Sequence, residues 1–341
     1  MSNVEDVTIR NYRPGDGPRV VDLLNEVFTE GDPGYSPRTL EEWQWIYEQN
    51  PAGNEIVIAE VPDGRVVGHY ACIPYRVQVD GRERTCGQGV DSMVRAEYRR
   101  GLKAEGLFLK VAKRYFEQYG IPENHAYGYG FPNKKAYRIG VRILKYCPVH
   151  APVVTLGRNL FDKTEDAEVG IGADETGSVV ELDRCDDRVD RLWSRIGPDV
   201  GMATIRDAQF LNWRYLDCPF GHHQMFGLLD QEDELRGLYI ARDNWTGPPI
   251  EALVEYLVPS SDSGAAVRLI SHAVERARTV GQQRVELWVP PWHPHFQLLE
   301  AHGFVSEDSP FNLCVKIYDR ALEPDWIRDH WYYSIGDTDA F

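Results

Sequence analysis

The spacing of apolar positions changes from a strand period to a helix period within the first thirty residues. Val7-Thr-Ile-Arg-Asn11 is short and β-branched and predicts a strand, and Arg13-Pro-Gly-Asp-Gly17 predicts a turn. Val20, Leu23, Leu24, Val27 and Phe28 then recur at i, i+3, i+4, i+7 and i+8, one face of an amphipathic helix. Glu55–Val61 and Arg65–Ala71 predict two strands around the turn Pro62-Asp-Gly64. Tyr75–Val79 predicts another strand turning at Asp80-Gly81, and Gln88–Val94 the strand after it. Ala104, Leu107, Phe108, Val111 and Tyr115 share the inner face of a helix expected over 103–118. His125–Phe131 reads as the next strand and 133–140 as a short helix.

The second half repeats this order. Trp45-Ile-Tyr47 with Pro51 matches Trp213-Arg-Tyr215 with Pro219 at an offset of 168, and Gly68-His-Tyr70 matches Gly237-Leu-Tyr239 at 169. Two matches in one order at nearly one offset predict a duplicated fold. Glu251–Val258 reads as a strand. The helix carrying Ala266, Leu269, Ile270, Ala273, Val274 and Ala277 follows, then the strand Arg284–Val289. A short helix from Phe296 to His302 ends at Gly303, and Asn312–Tyr318 closes the series. The expected fold class is α/β (α+β), in two tandem lobes, each a mixed and mostly antiparallel sheet flanked by helices. The expected domains are 1–155 and 178–341, joined by a weakly patterned linker over 156–177.

Composition narrows the function classes. A chain of 341 residues is long for one core and suits two. The net charge of −16 opposes nucleic acid and anionic membranes and suits a cationic substrate. Cys72, Cys86, Cys147, Cys185, Cys218 and Cys314 form no C-x-x-C pair, which points to reduced thiols and a cytoplasmic location. Residues 1–12 lack the apolar core of a signal peptide, and no apolar run approaches the roughly 18–20 residues of a membrane span. His222-His223 and His293-Pro-His295 lack metal-ligand companions, so no metal is expected. No P-loop or G-x-S-x-G elbow occurs.

The segment Arg95-Ala-Glu-Tyr-Arg-Arg-Gly-Leu-Lys103 holds four basic residues against one acid, between a strand and an amphipathic helix. Free backbone N–H groups at a helix start, glycine and positive charge suit a phosphate or pyrophosphate. Here the chain resembles the GNAT superfamily of acyl-CoA N-acyltransferases, as a tandem pair. Gly130-Phe-Pro-Asn133, Leu211-Asn-Trp-Arg-Tyr215 and Trp331-Tyr-Tyr-Ser-Ile-Gly-Asp337 resemble a bacterial subgroup with two tandem lobes. The family's cofactor loop reads R/Q-x-x-G-x-G/A. Arg99-Arg-Gly-Leu-Lys-Ala104 departs from it at Leu102, and the register Lys103-Ala-Glu-Gly106 supplies a glycine without a leading arginine. The resemblance implies acetyl-CoA, or another acyl-CoA, as co-substrate. It would be held by Met93, Val94, Arg99, Arg100, Gly101, Leu102, Lys103, Ala104, Gly106 and Asn133. In the second half, Leu298-Leu-Glu-Ala-His-Gly-Phe304 resembles the family's Leu-Gly-Phe helix end, but Pro259-Ser-Ser-Asp-Ser-Gly264 carries no base. That lobe is expected to have lost the cofactor and to shape the acceptor pocket.

The implied reaction is direct attack of a small-molecule amine on the thioester. Asp91, His69 and Glu97 are base candidates, and the resemblance nominates Tyr137 as the acid for the departing thiolate. Asp337, Asp339 or the terminal carboxylate of Phe341 is a further candidate for the first lobe's site. The expected state is monomer or homodimer, with no nucleic-acid or membrane partner. A Fem-like aminoacyl-tRNA-dependent peptidyl transferase and a catalytically silent GNAT-like binding protein are the rival readings. The 53 acidic residues against 37 basic disfavour the first of these.

Overall fold

A computed structural model describes residues 6–32, 34–99, 106–132, 134–149, 153–161, 177–244, 249–309 and 311–339. The chain forms two compact units. One comprises residues 1–76, 84–130 and 315–322, the other residues 77–83, 131–314 and 323–341. Residues 131–155 thus group with the second unit, and 315–322 with the first. Residues 162–176 of the expected linker lie outside the described residues, and 156–159 are part of a strand.

In the first unit, β1 (Thr8–Asn11), β2 (Glu55–Glu60), β3 (Val66–Val79), β4 (Arg82–Val94) and β5 (Tyr127–Gly130) follow one another across the sheet, with the strand Cys314–Ile317 beside β5. Antiparallel pairing runs Thr8↔Glu60 between β1 and β2 and Glu55↔Cys72 between β2 and β3. The helices α1 (Gly17–Gly31), α2 (Leu40–Tyr47) and α3 (Leu107–Gln118) cover it. The predicted inner face of α1 buries Val20, Leu23 and Leu24, whereas Phe28 stays exposed and stacks on Tyr35. α3 buries Leu107, Val111, Ala112 and Tyr115. It comes so close to β3 that a Cβ on Gly68 would lie 3.5 Å from Val111 and 3.6 Å from Leu107.

Two expectations are corrected here. Arg65–Ala71 and Tyr75–Val79 are one strand running through Pro74, which lacks an N–H but uses its carbonyl to accept from Asn50 Nδ2 at 3.1 Å. The helix expected from Lys103 starts at Leu107, because Gly106 is extended at φ −65 and ψ 161 and serves as its N-cap.

β4 and β5 are parallel, and their ladder is short: Cys86↔Tyr127, Gly87↔Gly128 and Gln88↔Tyr129. β4 then continues to Val94 without a described partner on that side. Among the described residues, positions 89–94 therefore have no strand neighbour on that side, although Val90 O, Asp91 O and Val94 O already accept from Ser92 Oγ, His69 Nδ1 and Arg99 Nε.

The second unit repeats the arrangement. Its strands are β6 (Val154–Asn159), β7 (Ser178–Glu181), β8 (His223–Leu229), β9 (Leu235–Asp243), β10 (Ile250–Leu257), β11 (Arg284–Leu287) and β12 (Val305–Asp308). They lie in the order β12-β6-β11-β10-β9-β8-β7. β10 and β11 are parallel from Ile250↔Arg284 to Leu253↔Leu287, as β4 and β5 are. The helices are α4 (Lys134–Ile139), α5 (Asp187–Ile196), α6 (Ser263–Thr279), α7 (His295–Ala301) and α8 (Pro324–His330). α6 buries Leu269, Ile270, Ala273 and Val274, as the 3.6-residue period predicts. The connection from the parallel ladder to this helix spans 254–262, against 89–106 in the first unit. Each unit is thus a mixed sheet flanked by helices, and the fold class is α/β.

Candidate active site

Four side chains meet beside the open edge of β4. Thr39 caps α2 through a reciprocal capping box with Glu42, which fixes where the helix begins. Arg38 stands just before that cap. Asn25 of α1 grips its backbone from both sides, Nδ2 donating to Arg38 O at 2.9 Å and Oδ1 accepting from Arg38 N at 2.8 Å. The guanidinium then reaches Asp91 Oδ2 at 2.5 Å. Tyr47, the last residue of α2, donates its hydroxyl to the same oxygen at 2.8 Å. Both bonds fall on Oδ2, so Oδ1 has no partner among the described residues.

Asp91 itself has φ +48, a left-handed conformation that costs a non-glycine residue about 1 kcal/mol. Its carbonyl lies 2.7 Å from His69 Nδ1. A carbonyl only accepts, so Nδ1 carries the proton and Nε2 is bare. Nε2 is buried and has no hydrogen-bond partner among the described residues. Burial pushes the His69 imidazole below its ordinary value, so it is neutral. Its ring is 1% exposed and meets Tyr47 edge-on at 6.2 Å. His69 therefore pins the backbone of Asp91. Burial, with Asp91 adding to it, raises the Tyr47 hydroxyl well above the usual phenol range and keeps it a donor. Burial opposes the charge of Arg38, and the adjacent Asp91 outweighs it.

The structure brings Asp91 and His69 together. Met93 and Val94 are buried at the end of β4, and Val94 O accepts from Arg99 Nε at 2.7 Å. Arg99 is exposed, 3.7 Å from Glu30. Gly106, the N-cap of α3, has no side chain with which to accept from the first turn, and that turn carries no acid. Glu97 is exposed on the turn Ala96–Tyr98. Tyr137 is half-buried on α4, in the second unit. Arg100, Gly101, Leu102, Lys103, Ala104, Asn133 and Phe341 lie outside the described residues. Sequence reasoning missed Arg38, and it used Tyr47 only as a repeat marker. The signal was present: Arg38 and Arg206, like Tyr47 and Tyr215, are separated by 168 positions.

That offset has a structural counterpart. In the second unit Arg206 also stands one residue before a helix cap, Asp207, and bonds a carboxylate on the strand that has a parallel neighbour. Arg206 Nε donates to Glu255 Oε2 at 2.7 Å, and Tyr215 donates to Glu255 Oε1 at 2.7 Å. Here the cluster is closed. Arg206 Nη2 also donates to Asp337 Oδ2 at 2.8 Å and to Ser334 Oγ at 3.0 Å. Arg206 and Glu255 are fully buried, and burial raises the Glu255 carboxyl despite Arg206. Asp337 is corrected accordingly: it is neither frayed nor free to act as a base, being buried on Arg206 and Thr204. Gly336 lies so close that a Cβ there would meet Tyr215 Oη at 1.9 Å and Glu255 Oε1 at 2.7 Å. The start of α6 is occupied as well, because Asp262 accepts from Ala265 N at 2.9 Å. Among the described residues nothing fills either feature in the first unit, while the second fills both with its own carboxylates.

A cavity of about 240 Å³ lies elsewhere in the second unit, walled by Val149, Val153, Trp292, Leu313, Ile327 and Tyr333. It contains none of the nominated residues. Among the described residues no group of three or more His, Cys, Asp or Glu side chains is placed to hold a metal, and no helix is long and apolar enough to cross a membrane.

Residues 8–139 match the family model of the acetyltransferase (GNAT) domain. No curated relative matches the sequence. Among solved structures, a conserved protein of unknown function from Enterococcus faecalis, described as a probable N-acyltransferase, superposes with a TM-score of 0.67 at 12% identity, over 92% of this chain and 72% of that one. A GCN5-related N-acetyltransferase from Anabaena variabilis gives 0.65 at 12% identity, over 92% and 73%. The N-myristoyltransferase of Saccharomyces cerevisiae, solved with bound myristoyl-CoA, gives 0.58 at 13% identity, over 95% and 85%. At such identities the likeness shows a shared fold.

Proposed function

From residues 8–139, which belong to the GNAT acetyltransferase family, we propose that this N-acyltransferase moves the acyl group of acetyl-CoA, or of another acyl-CoA, to a small-molecule amine in its first unit. The observation that carries the reading is the open edge of β4 at 89–94, directly beside Arg38, Tyr47 and Asp91. A strand edge without a neighbour offers hydrogen bonds to an extended amide-bearing arm and to a thioester oxygen. The glycine-capped start of α3, after the basic stretch from Arg99, suits the pyrophosphate.

In this scheme the amine nitrogen attacks the thioester carbon. The C–N bond forms, the carbonyl oxygen takes the negative charge, and backbone N–H groups of β4 stabilise it. The C–S bond then breaks, and the thiolate takes a proton from water. The ammonium proton of the acceptor passes to Asp91 Oδ1, directly or through water. His69 and Tyr47 act by holding that carboxylate and its backbone in place. The second unit takes no coenzyme, a reading supported by Asp262 at its helix start and Asp337 on Arg206.

Free-thiol release from acetyl-CoA against a panel of amines tests this. The expected result is amine-dependent release at a rate above hydrolysis. If no acyl-CoA yields thiol with any amine, and calorimetry detects no acetyl-CoA binding, the proposal is wrong.

A further inference from the structure

We propose that the guanidinium of Arg38 docks the carboxylate of the acceptor, and that the acceptor is a free α-amino acid whose ammonium faces Asp91. This deepens the acyl-transfer reading and rests on it.

The second unit displays the geometry with a carboxylate in place. Arg206 binds two carboxylates at once, Nε donating to Glu255 Oε2 at 2.7 Å and Nη2 to Asp337 Oδ2 at 2.8 Å. Arg38 corresponds to Arg206 by sequence offset, by its place one residue before a helix cap, and by sharing its carboxylate with a tyrosine. Among the described residues of the first unit only the strand carboxylate is present. Arg38 Nη1 bonds Asp91 Oδ2, and no second carboxylate contacts Arg38 among the described residues. The side chains of Arg38 and Asp91 are 20% and 10% exposed, so a ligand can reach both.

Charge then selects the occupant. Arg38 and Asp91 set a positive and a negative group side by side, with Asp91 Oδ1 unbonded among the described residues. A ligand bearing an ammonium and a carboxylate on one carbon complements both at once. Its carboxylate can bond the planar guanidinium edge, and its ammonium can donate to Oδ1. An amine without a carboxylate leaves the guanidinium edge to water. A dianion without an amine is repelled by Asp91.

The test is the rate of thiol release from acetyl-CoA with matched acceptors: the common L-amino acids, their carboxamides, and the amines left on removing the carboxyl group. The free acids are expected to exceed both analogues in kcat/KM by at least about tenfold, the scale of a charge-assisted hydrogen bond. Arg38→Gln should collapse that preference toward unity while leaving the KM for acetyl-CoA unchanged. The wild-type series decides the matter even if the variant does not fold. Equal rates for acid, amide and amine would overturn the carboxylate assignment while leaving acyl transfer intact. Turnover confined to amines that lack a carboxylate would do the same. Absence of turnover with every amine would remove acyl transfer and this inference together.

Discussion

Asp91 concentrates the demands of the site in one residue. It holds a left-handed backbone, bonds Arg38 and Tyr47 through one oxygen, and leaves the other open. Asparagine tolerates the left-handed region, so Asp91→Asn separates charge from conformation. This variant should fold normally and lose about 10²–10⁴ in kcat, the usual scale of general acid–base help. Wild-type kcat in that variant would remove Asp91 from the scheme. Tyr47→Phe deletes one of two donors to a carboxylate that Arg38 still holds. Its cost in stability should be only about 1 kcal/mol, read by urea denaturation. At the cofactor end, replacing Arg99 and Arg100 together by alanine should weaken acetyl-CoA binding by about 1.5–3 kcal/mol per lost charged hydrogen bond. Calorimetry showing unchanged affinity would shift the coenzyme away from that stretch.

At the scale of elements, the segment around Gly336 behaves as a plug against β10. Gly336→Ala forces a methyl group onto Tyr215 and Glu255 and should destabilise the second unit by about 1–3 kcal/mol. A thermal melt indistinguishable from wild type would show that the segment packs differently. Asp337→Asn removes one charge from a fully buried group and should cost about 3–5 kcal/mol. The sequence made most elements legible, because α1, α3 and α6 carry a clean helical period and the hairpin turns carry Asp-Gly. It could not reveal that β3 runs straight through Pro74, since a proline in a strand normally signals an edge or a break. It misplaced the start of α3 because Ala104 fits the helical stripe, while Gly106 breaks it by conformation alone. In the site, Asp91 and His69 were readable from their strands. Arg38 was not, because it sits in a loop, and only the duplicated offset with Arg206 marks it.

Over the whole molecule, buried histidines set the response to acid. Burial pushes His223 and His293 down to about 3 and His295 to about 4, all in the second unit. In the unfolded chain they titrate near about 6.5. Between those values the unfolded chain binds more protons, so stability is complete above about pH 6.5 and is lost as pH falls. Glu251 acts in the opposite sense. Burial raises it from 4.5 to about 7, so its contribution is present below its unfolded value and is lost as pH rises toward 7. With His69 and His272 also lowered by burial and Glu255 also raised, the histidines outnumber the carboxyls, and urea midpoints should fall between pH 6.5 and 4.5. A midpoint that rises over that interval would contradict the burial of these imidazoles. Glu251→Gln should steepen the fall.

The interleaving of the two units bears on how the protein comes to be made. Residues 315–322 supply the outer neighbour of β5, and the residues after them seal Arg206. Neither body can therefore finish before translation has passed residue 315. Until then β5 shows an unpaired margin that invites association with other nascent chains. An expressed fragment stopping near residue 155 should consequently go to inclusion bodies, unless a peptide spanning 312–322 is supplied in trans.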